Sequence, residues 1–228
     1  MTSTLLTDSF VGPDGFICSE THQAPPGSLW VLTSGSLFRS NNEGWTGKPN
    51  TGNPPDSGST PTGVTDSSIF RMTTAATNFG NVDISLFLRV DAFVSDSQTP
   101  AVPWDGAHIW VRHQSPFQLY AVSVCRRDGT MIIKKKIKGG PDPSAGGTYY
   151  DLSPSVGPAP VVLGKWMHVV VSVRDLADGS VSITAVRDGY KVSAVDKGTG
   201  APPLRGSAAF GIRGDNVELR FASVGVQG

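Results

Sequence analysis

Apolar and polar residues alternate with a period of two along much of this chain. From Val82 to Val90 every even position is apolar, and Asp83, Ser85 and Arg89 stand between them. Successive side chains of an extended strand point to opposite faces, so this pattern predicts a strand with one face on a core. Val181-Ser182-Ile183-Thr184 opens in the same way. Further strand-like runs are read at 67–74, 81–94, 108–113, 117–126, 131–138, 165–175, 179–187, 208–213 and 217–226, separated by clusters of Gly, Pro, Asn and Asp. No dozen residues keep the apolar spacing of three and four that a helical layer needs.

Asp-Gly pairs at 128–129, 178–179 and 188–189 fall at the ends of these runs. Asp-Gly tolerates the positive φ angles of tight hairpins, and hairpins imply antiparallel pairing. Two stretches break the rhythm, 44–63 and 139–160, and both read as long irregular loops. Trp45 lies in the first, Tyr149 and Tyr150 in the second; aromatics there either line a rim or anchor the loop. Trp30 and Trp166 sit in apolar contexts and are read as core. The whole pattern predicts an all-β, two-sheet antiparallel sandwich, spanning residues 1–228 as a single domain.

Composition narrows the partners. Nineteen basic and nineteen acidic side chains cancel, which removes the electrostatic case for nucleic acid or an anionic membrane. No apolar run reaches the length of a membrane span. The start Met1-Thr-Ser-Thr-Leu-Leu-Thr-Asp8 lacks the basic and apolar segments of a secretory signal, and synthesis in the cytoplasm is expected. Cys18 and Cys125 allow one bridge but fit no zinc or redox spacing; two small buried residues are the better expectation.

Three segments carry a resemblance. They are Trp104-Asp-Gly-Ala-His-Ile-Trp-Val-Arg112, then Leu119-Tyr-Ala-Val-Ser-Val-Cys-Arg-Arg-Asp-Gly129 running into Lys134-Lys-Lys136, and Gly211-Ile-Arg-Gly-Asp-Asn216 before a closing apolar strand. Their order resembles the concanavalin A-like lectin/glucanase superfamily, in the laminin-G-like form seen in actinobacterial proteins and in the virions of actinobacteriophages. The resemblance implies a jelly roll with a concave face that holds carbohydrate. It also implies a home in a virion, as a tail or capsid-decoration protein made in the host cytoplasm, with other virion proteins or further copies of the chain as partners. Activity does not follow from fold.

Hydrolysis is disfavoured. Most glycosidases need two carboxyl groups flanking the scissile bond, and the superfamily's glucanases carry them as Glu-x-Asp-x-Glu. Only Glu20, Glu43 and Glu218 are present, none in that setting. A lyase acting on an acidic glycan needs a Tyr or His base and a cation or amide to neutralise the carboxylate. His108, Arg112, Tyr120 and Arg127 supply those types, without the Gln-x-His strand of alginate-lyase-like jelly rolls. No nucleophile elbow and no zinc spacing is present, so no cofactor is expected. Loop acids such as Asp8 and Asp215 could hold a structural calcium.

The sharpest constellation is His108-Ile-Trp-Val-Arg112, where alternation places His108, Trp110 and Arg112 on one face. An indole packs on pyranose C–H groups while a guanidinium reaches hydroxyl or carboxylate oxygens. The competing reading has Trp110 covering its sheet and Arg112 paired with an acid. Lys134 and Lys136 share a face and, with Arg126 and Arg127 across the hairpin, form a basic patch suited to an anionic glycan. Lysines that guard an edge strand would look the same. The candidate carbohydrate-binding residues are therefore His108, Trp110, Arg112, Arg127, Lys134 and Lys136, in a protein expected to bind glycan without catalysis.

Overall fold

A computed structural model describes residues 3–49, 64–65, 68–95, 97, 99–142 and 146–228. Eighteen strands are described: β1 Thr4–Asp8, β2 Gly15–Ser19, β3 Trp30–Ser34, β4 Ser36–Ser40, β5 Glu43–Trp45, β6 Lys48–Pro49, β7 Val64–Thr65, β8 Ile69–Thr74 and β9 Val82–Phe93. Then come β10 Gly106–Ser115, β11 Gln118–Arg126, β12 Ile132–Lys138, β13 Gly147–Asp151, β14 Trp166–Asp175, β15 Val181–Arg187, β16 Tyr190–Asp196, β17 Ala209–Asp215 and β18 Val217–Gln227. No helix occurs among the described residues.

The strands form two large antiparallel sheets. One runs β16-β15-β14-β9-β18-β5-β4-β2, with β1 also paired to β18, and has nine strands. The other runs β13-β12-β11-β10-β17-β8-β3 and has seven. A short parallel pair, β6 with β7, stands apart. Alternation explains which face of each is buried. Val82, Ile84, Leu86, Leu88 and Val90 of β9 point inward, where they meet Ile109 and Val111 of β10 and Tyr120, Val122 and Val124 of β11. One continuous apolar core lies between the sheets.

The turns follow the glycine chemistry. Asp188 (φ 47°) and Gly189 (φ 88°) both adopt the left-handed region that a two-residue hairpin between Arg187 and Tyr190 requires. At 126–129 only the glycine is left-handed, and Gly129 N–H closes the turn on Arg126 O at 3.0 Å.

Several expectations are revised. The stretch 139–160 is not all loop, because Gly147–Asp151 adds an edge strand to β12. Of the stretch 44–63, the first part holds the ends of β5 and β6; the remainder lies outside the described residues. Trp30 is core, but Trp166 is 37% exposed on the outer face of the nine-stranded sheet. The N-terminal strands lie where the alternation is too short to read.

Buried polar groups tie the sandwich together at its ends. Lys135, opposite in facing to its neighbours Lys134 and Lys136, is fully buried and pairs with Asp196 at 2.8 Å. Tyr120 donates to the same carboxylate at 2.7 Å, and Lys135 also donates to the Ala201 and Pro202 carbonyls. Arg187 donates to Val124 O at 2.7 Å and to Ala159 O, joining the sheets. Cys18 and Cys125 are both buried and unbridged, and burial pushes each thiol up to about 11.

Candidate functional site

The outer face of the seven-stranded sheet collects the residues that alternation turns away from the core. Trp110 on β10 lies opposite Ala121 on β11 and Gly211 on β17. Leu119, Lys136 and Tyr149 form the neighbouring row across β11, β12 and β13. Ser123, His108, Arg213 and Arg71 form a row on the other side, across β11, β10, β17 and β8. A side chain at Gly211 would place its Cβ 2.3 Å from the Met72 carbonyl, so this position beside the indole holds glycine.

Trp110 is the floor of this face and is only 3% exposed. It forms a small apolar cluster with Leu119 and Ala121, and Tyr149 packs on that cluster. The His113 ring stacks on the indole at 5.1 Å and 18°, and the Arg213 guanidinium sits 5.8 Å from its centre. Arg213 Nη1 reaches Tyr149 Oη at 3.4 Å. Their strands are separated by four inter-strand steps, about 19 Å in a flat sheet. Both side chains therefore lean across the intervening strands and roof the indole. Trp110 Nε1–H is buried there without a hydrogen-bond partner among the described residues, an unusual state for a buried indole.

Charge is concentrated around that roof. Lys136 is buried between the Phe117 ring at 5.4 Å and the Tyr149 ring at 5.2 Å. Burial, then the charges of Arg213 and Arg71, lower its ammonium to about 8. Burial likewise lowers His113, with a further contribution from Lys136, and raises the Tyr149 phenol. Ser123 Oγ lies 2.8 Å from His108 Nδ1, and His108 Nε2 lies 3.2 Å from Asp215 Oδ2. The second contact has ion-pair distance but is not aligned as a hydrogen bond. Burial alone would raise the Asp215 carboxyl, but Arg213 and His108 outweigh it and hold the group well below the usual carboxylate range. The Ser–His–carboxylate order echoes a nucleophilic triad, yet Ser123 is 3% exposed and is not presented to a substrate.

The sequence-based candidates separate into two groups. His108, Trp110, Lys134 and Lys136 share this face. Arg112 does not. Irregular register after Val111 and a left-handed φ of 51° at Arg112 break the alternation, and its side chain is fully buried. There it pairs with Asp175 at 3.1 Å and bonds Asn81 and the Phe79 carbonyl, so the expectation of a His108–Trp110–Arg112 trio is corrected. Arg127 is also elsewhere, bound to Asp105 at 3.0 Å and to Val94 O, with its guanidinium over the Phe93 ring. The expected patch of Lys134, Lys136, Arg126 and Arg127 does not assemble, since Lys134 pairs with Asp151 and Arg126 with Asp128. Trp110 faces the expected way but lies under other side chains.

Arg213, Arg71 and His113 were not among the sequence-based candidates, and Tyr149 was read only as a loop aromatic that either lines a rim or anchors its loop. The period of two in Arg213-Gly-Asp215 does place that pair on one face; its meeting with Tyr149, 64 residues distant, is a tertiary fact. As for calcium, Asp8 accepts from Phe10 N and Trp30 Nε1, and Asp215 accepts from Arg213. No cluster of three or more His, Cys, Asp or Glu side chains with metal-holding geometry occurs among the described residues.

A cleft of about 570 Å³ lies elsewhere, at the β10–β11 hairpin end, lined by Gln114, Gln118, Lys138 and the segment Ala201–Arg205. Its lining combines two amides, two cations, two prolines and the apolar residues Ile137, Ala201 and Leu204, with no aromatic platform. The Trp110 face, though closed over, carries the denser chemistry.

No family profile matches the chain. No curated protein sequence matches it either. Solved structures do. The carbohydrate binding module CBM66 from Bacillus subtilis superposes with a TM-score of 0.54 at 9% identity, over 88% of this chain and 96% of that one. A β-porphyranase from the human gut bacterium Bacteroides plebeius gives 0.56 at 7% identity, over 100% and 91%. The exoplasmic/lumenal domain of VIP36, in a Ca2+/Man3GlcNAc-bound form, gives 0.50 at 12% identity, over 87% and 83%. At these identities the likeness is one of fold: a concanavalin A-like jelly-roll sandwich, shared by a protein named for binding carbohydrate and by one named as a β-porphyranase.

Proposed function

We propose that this protein is a non-catalytic carbohydrate-binding protein whose binding face is the outer surface of the seven-stranded sheet around Trp110. The observation that carries the reading is the indole floor with its unpaired Nε1–H, flanked by Tyr149, Lys136 and Arg213. Ring faces suit the C–H surface of a sugar, and the surrounding donors suit its oxygens. The closed roof implies that Tyr149 and Arg213 swing apart when a chain enters.

Binding without cleavage is favoured by the acids on this face. Asp215 is held ionised by Arg213 and Asp151 pairs with Lys134. A glycosidase needs one carboxyl kept protonated near neutrality, and the environment of Asp215 drives the other way. A lyase is the second reading, favoured by the Tyr149–Arg213 contact, which sets a phenol beside a carboxylate-neutralising cation. Appearance of unsaturated uronate absorbance on incubation with acidic polysaccharides would establish it. The resemblance of the three segments to actinobacteriophage proteins supports a virion setting, as a tail or capsid-decoration protein; flanking genes for tail or capsid proteins test that setting.

The binding reading is tested on a broad glycan array. The intact chain is expected to be retained on a subset of glycans, and Tyr149→Ala to lose that retention with its circular dichroism unchanged. Failure of the intact chain to be retained anywhere would remove the proposal.

A further inference from the structure

The chemistry around Lys136 selects among glycans. Lys136 comes from the row on one side of the indole and Arg213 and Arg71 from the row on its other side, and Lys136 and Arg213 meet around the Tyr149 ring. Each of the three is a donor with no acceptor lone pair. Trp110 Nε1–H adds a buried donor that finds no acceptor among the described residues. A buried donor left unpaired is costly, and the cost is recovered when a ligand brings an acceptor. Neutral sugar hydroxyls both donate and accept, so these four donors use only the accepting half of that capacity. An oxyanion only accepts.

We propose that this site takes the acidic substituent of a glycan, a carboxylate or a sulfate ester, with Lys136 as its charge partner and Trp110 Nε1–H as a hydrogen-bond donor. The proposal rests on the carbohydrate-binding reading above and deepens it. The substituent would lie between the Phe117 and Tyr149 rings that flank the ammonium, where water is largely excluded and a charge-assisted hydrogen bond is strong. Facing Lys136 are Arg213 from β17, Arg71 from β8, the Tyr149 phenol from β13 and His113 from β10; Asp215 on β17 is engaged by Arg213. Because the ammonium titrates near 8, anion affinity should be full below that value and fall as pH rises through it. The arginines stay charged throughout and set a residual plateau.

Matched polysaccharides test this by affinity electrophoresis or calorimetry at fixed ionic strength: polyuronate against its methyl ester, and a sulfated galactan against its desulfated form. At least tenfold tighter binding to one acidic member is expected, and whichever pair discriminates identifies the group. Lys136→Met should remove most of that discrimination, Trp110→Phe part of it, and Lys136→Arg should keep it while abolishing its decline between pH 7 and 9. Lys165→Met, a cation on the other side of the sandwich, should change nothing. Equal binding of acidic and neutral members overturns the proposal and leaves the carbohydrate reading standing. Binding to neither overturns both. Discrimination that survives Lys136→Met and falls with Lys165→Met marks general polyanion attraction and overturns the assignment to this site.

Discussion

The two outer faces of this sandwich use the same residue types and reach opposite outcomes. On the nine-stranded sheet, Trp166, Arg89, Arg220 and Trp45 lie in one row across β14, β9, β18 and β5. Each guanidinium covers an indole, at 4.9 Å for Arg89 on Trp166 and 4.8 Å for Arg220 on Trp45. Asp91 bonds both arginines at 2.6 and 2.9 Å, Glu43 bonds Arg220 at 3.1 Å, and Trp45 Nε1 donates to Glu218 at 2.8 Å. Burial would raise Asp91, but its bonds to Arg89 and Arg220 outweigh that and keep it ionised. On the seven-stranded sheet the indole has aromatic and cationic neighbours too, yet its N–H has no acceptor among the described residues. Trp45 is tied into the scaffold through its acceptor; the unpaired Trp110 N–H is, in the proposed function, the place where a ligand binds. Tryptophan and arginine in a strand therefore say little until their acceptors are located.

Experiments can break or sharpen this contrast. The largest effect is expected at neither face: Arg112→Met removes a buried cation and leaves Asp175, Asn81 and Phe79 O without it. Chemical denaturation should show a loss of about 3–5 kcal/mol, and a loss below about 1 kcal/mol would put Arg112 back among surface residues. Next, Lys136 carries the cost of holding a charge where burial and two arginines disfavour it. With a folded value of about 8 against 10.5 for an ordinary lysine, the unfolded chain binds more protons between those values, so stability should rise with pH across that window. The gain should be on the order of 2 kcal/mol and absent from Lys136→Met; a flat profile in the parent chain would contradict the burial of this ammonium.

Smaller effects compare the faces directly. Asp91→Asn takes the shared acceptor from Arg89 and Arg220 and should cost about 1 kcal/mol, because these groups are partly solvated, while glycan retention stays unchanged. Paired Trp→Phe substitutions give the finest test. Trp45→Phe strips a donor from Glu218 and should destabilise by about 0.5–1 kcal/mol without affecting retention. Trp110→Phe removes an unpaired N–H, so melting should shift less than in Trp45→Phe while retention falls. The reverse pattern would mean that the two indoles had been assigned the wrong roles.

How much of this was legible in the chain depends on range. Alternation in Val82–Val90 and Val181–Val186, with Asp-Gly at the hairpins, was enough for an all-β antiparallel sandwich, because a period of two is a local consequence of backbone geometry. It also placed His108 and Trp110 on one face and Lys135 opposite Lys134 and Lys136. It failed at Arg112, where irregular register reverses the facing of a residue whose sequence neighbours look regular. It failed at Trp166 as well, since apolar neighbours in sequence do not settle which face an indole takes.

By itself the sequence determined the balance of charge, a plain sum over the chain, and the strands and inward residues, which are fixed by neighbours one to three positions apart. Only the tertiary structure decided that Tyr149 and Arg213 meet over Trp110, that Arg127 and Arg112 leave that face for Asp105 and Asp175, and that the buried Trp110 N–H, unlike that of Trp45, lacks an acceptor among the described residues. Pairings across four strands, or between residues 64 positions apart, are set by how the sheet is ordered and packed, and local pattern carries no record of that order.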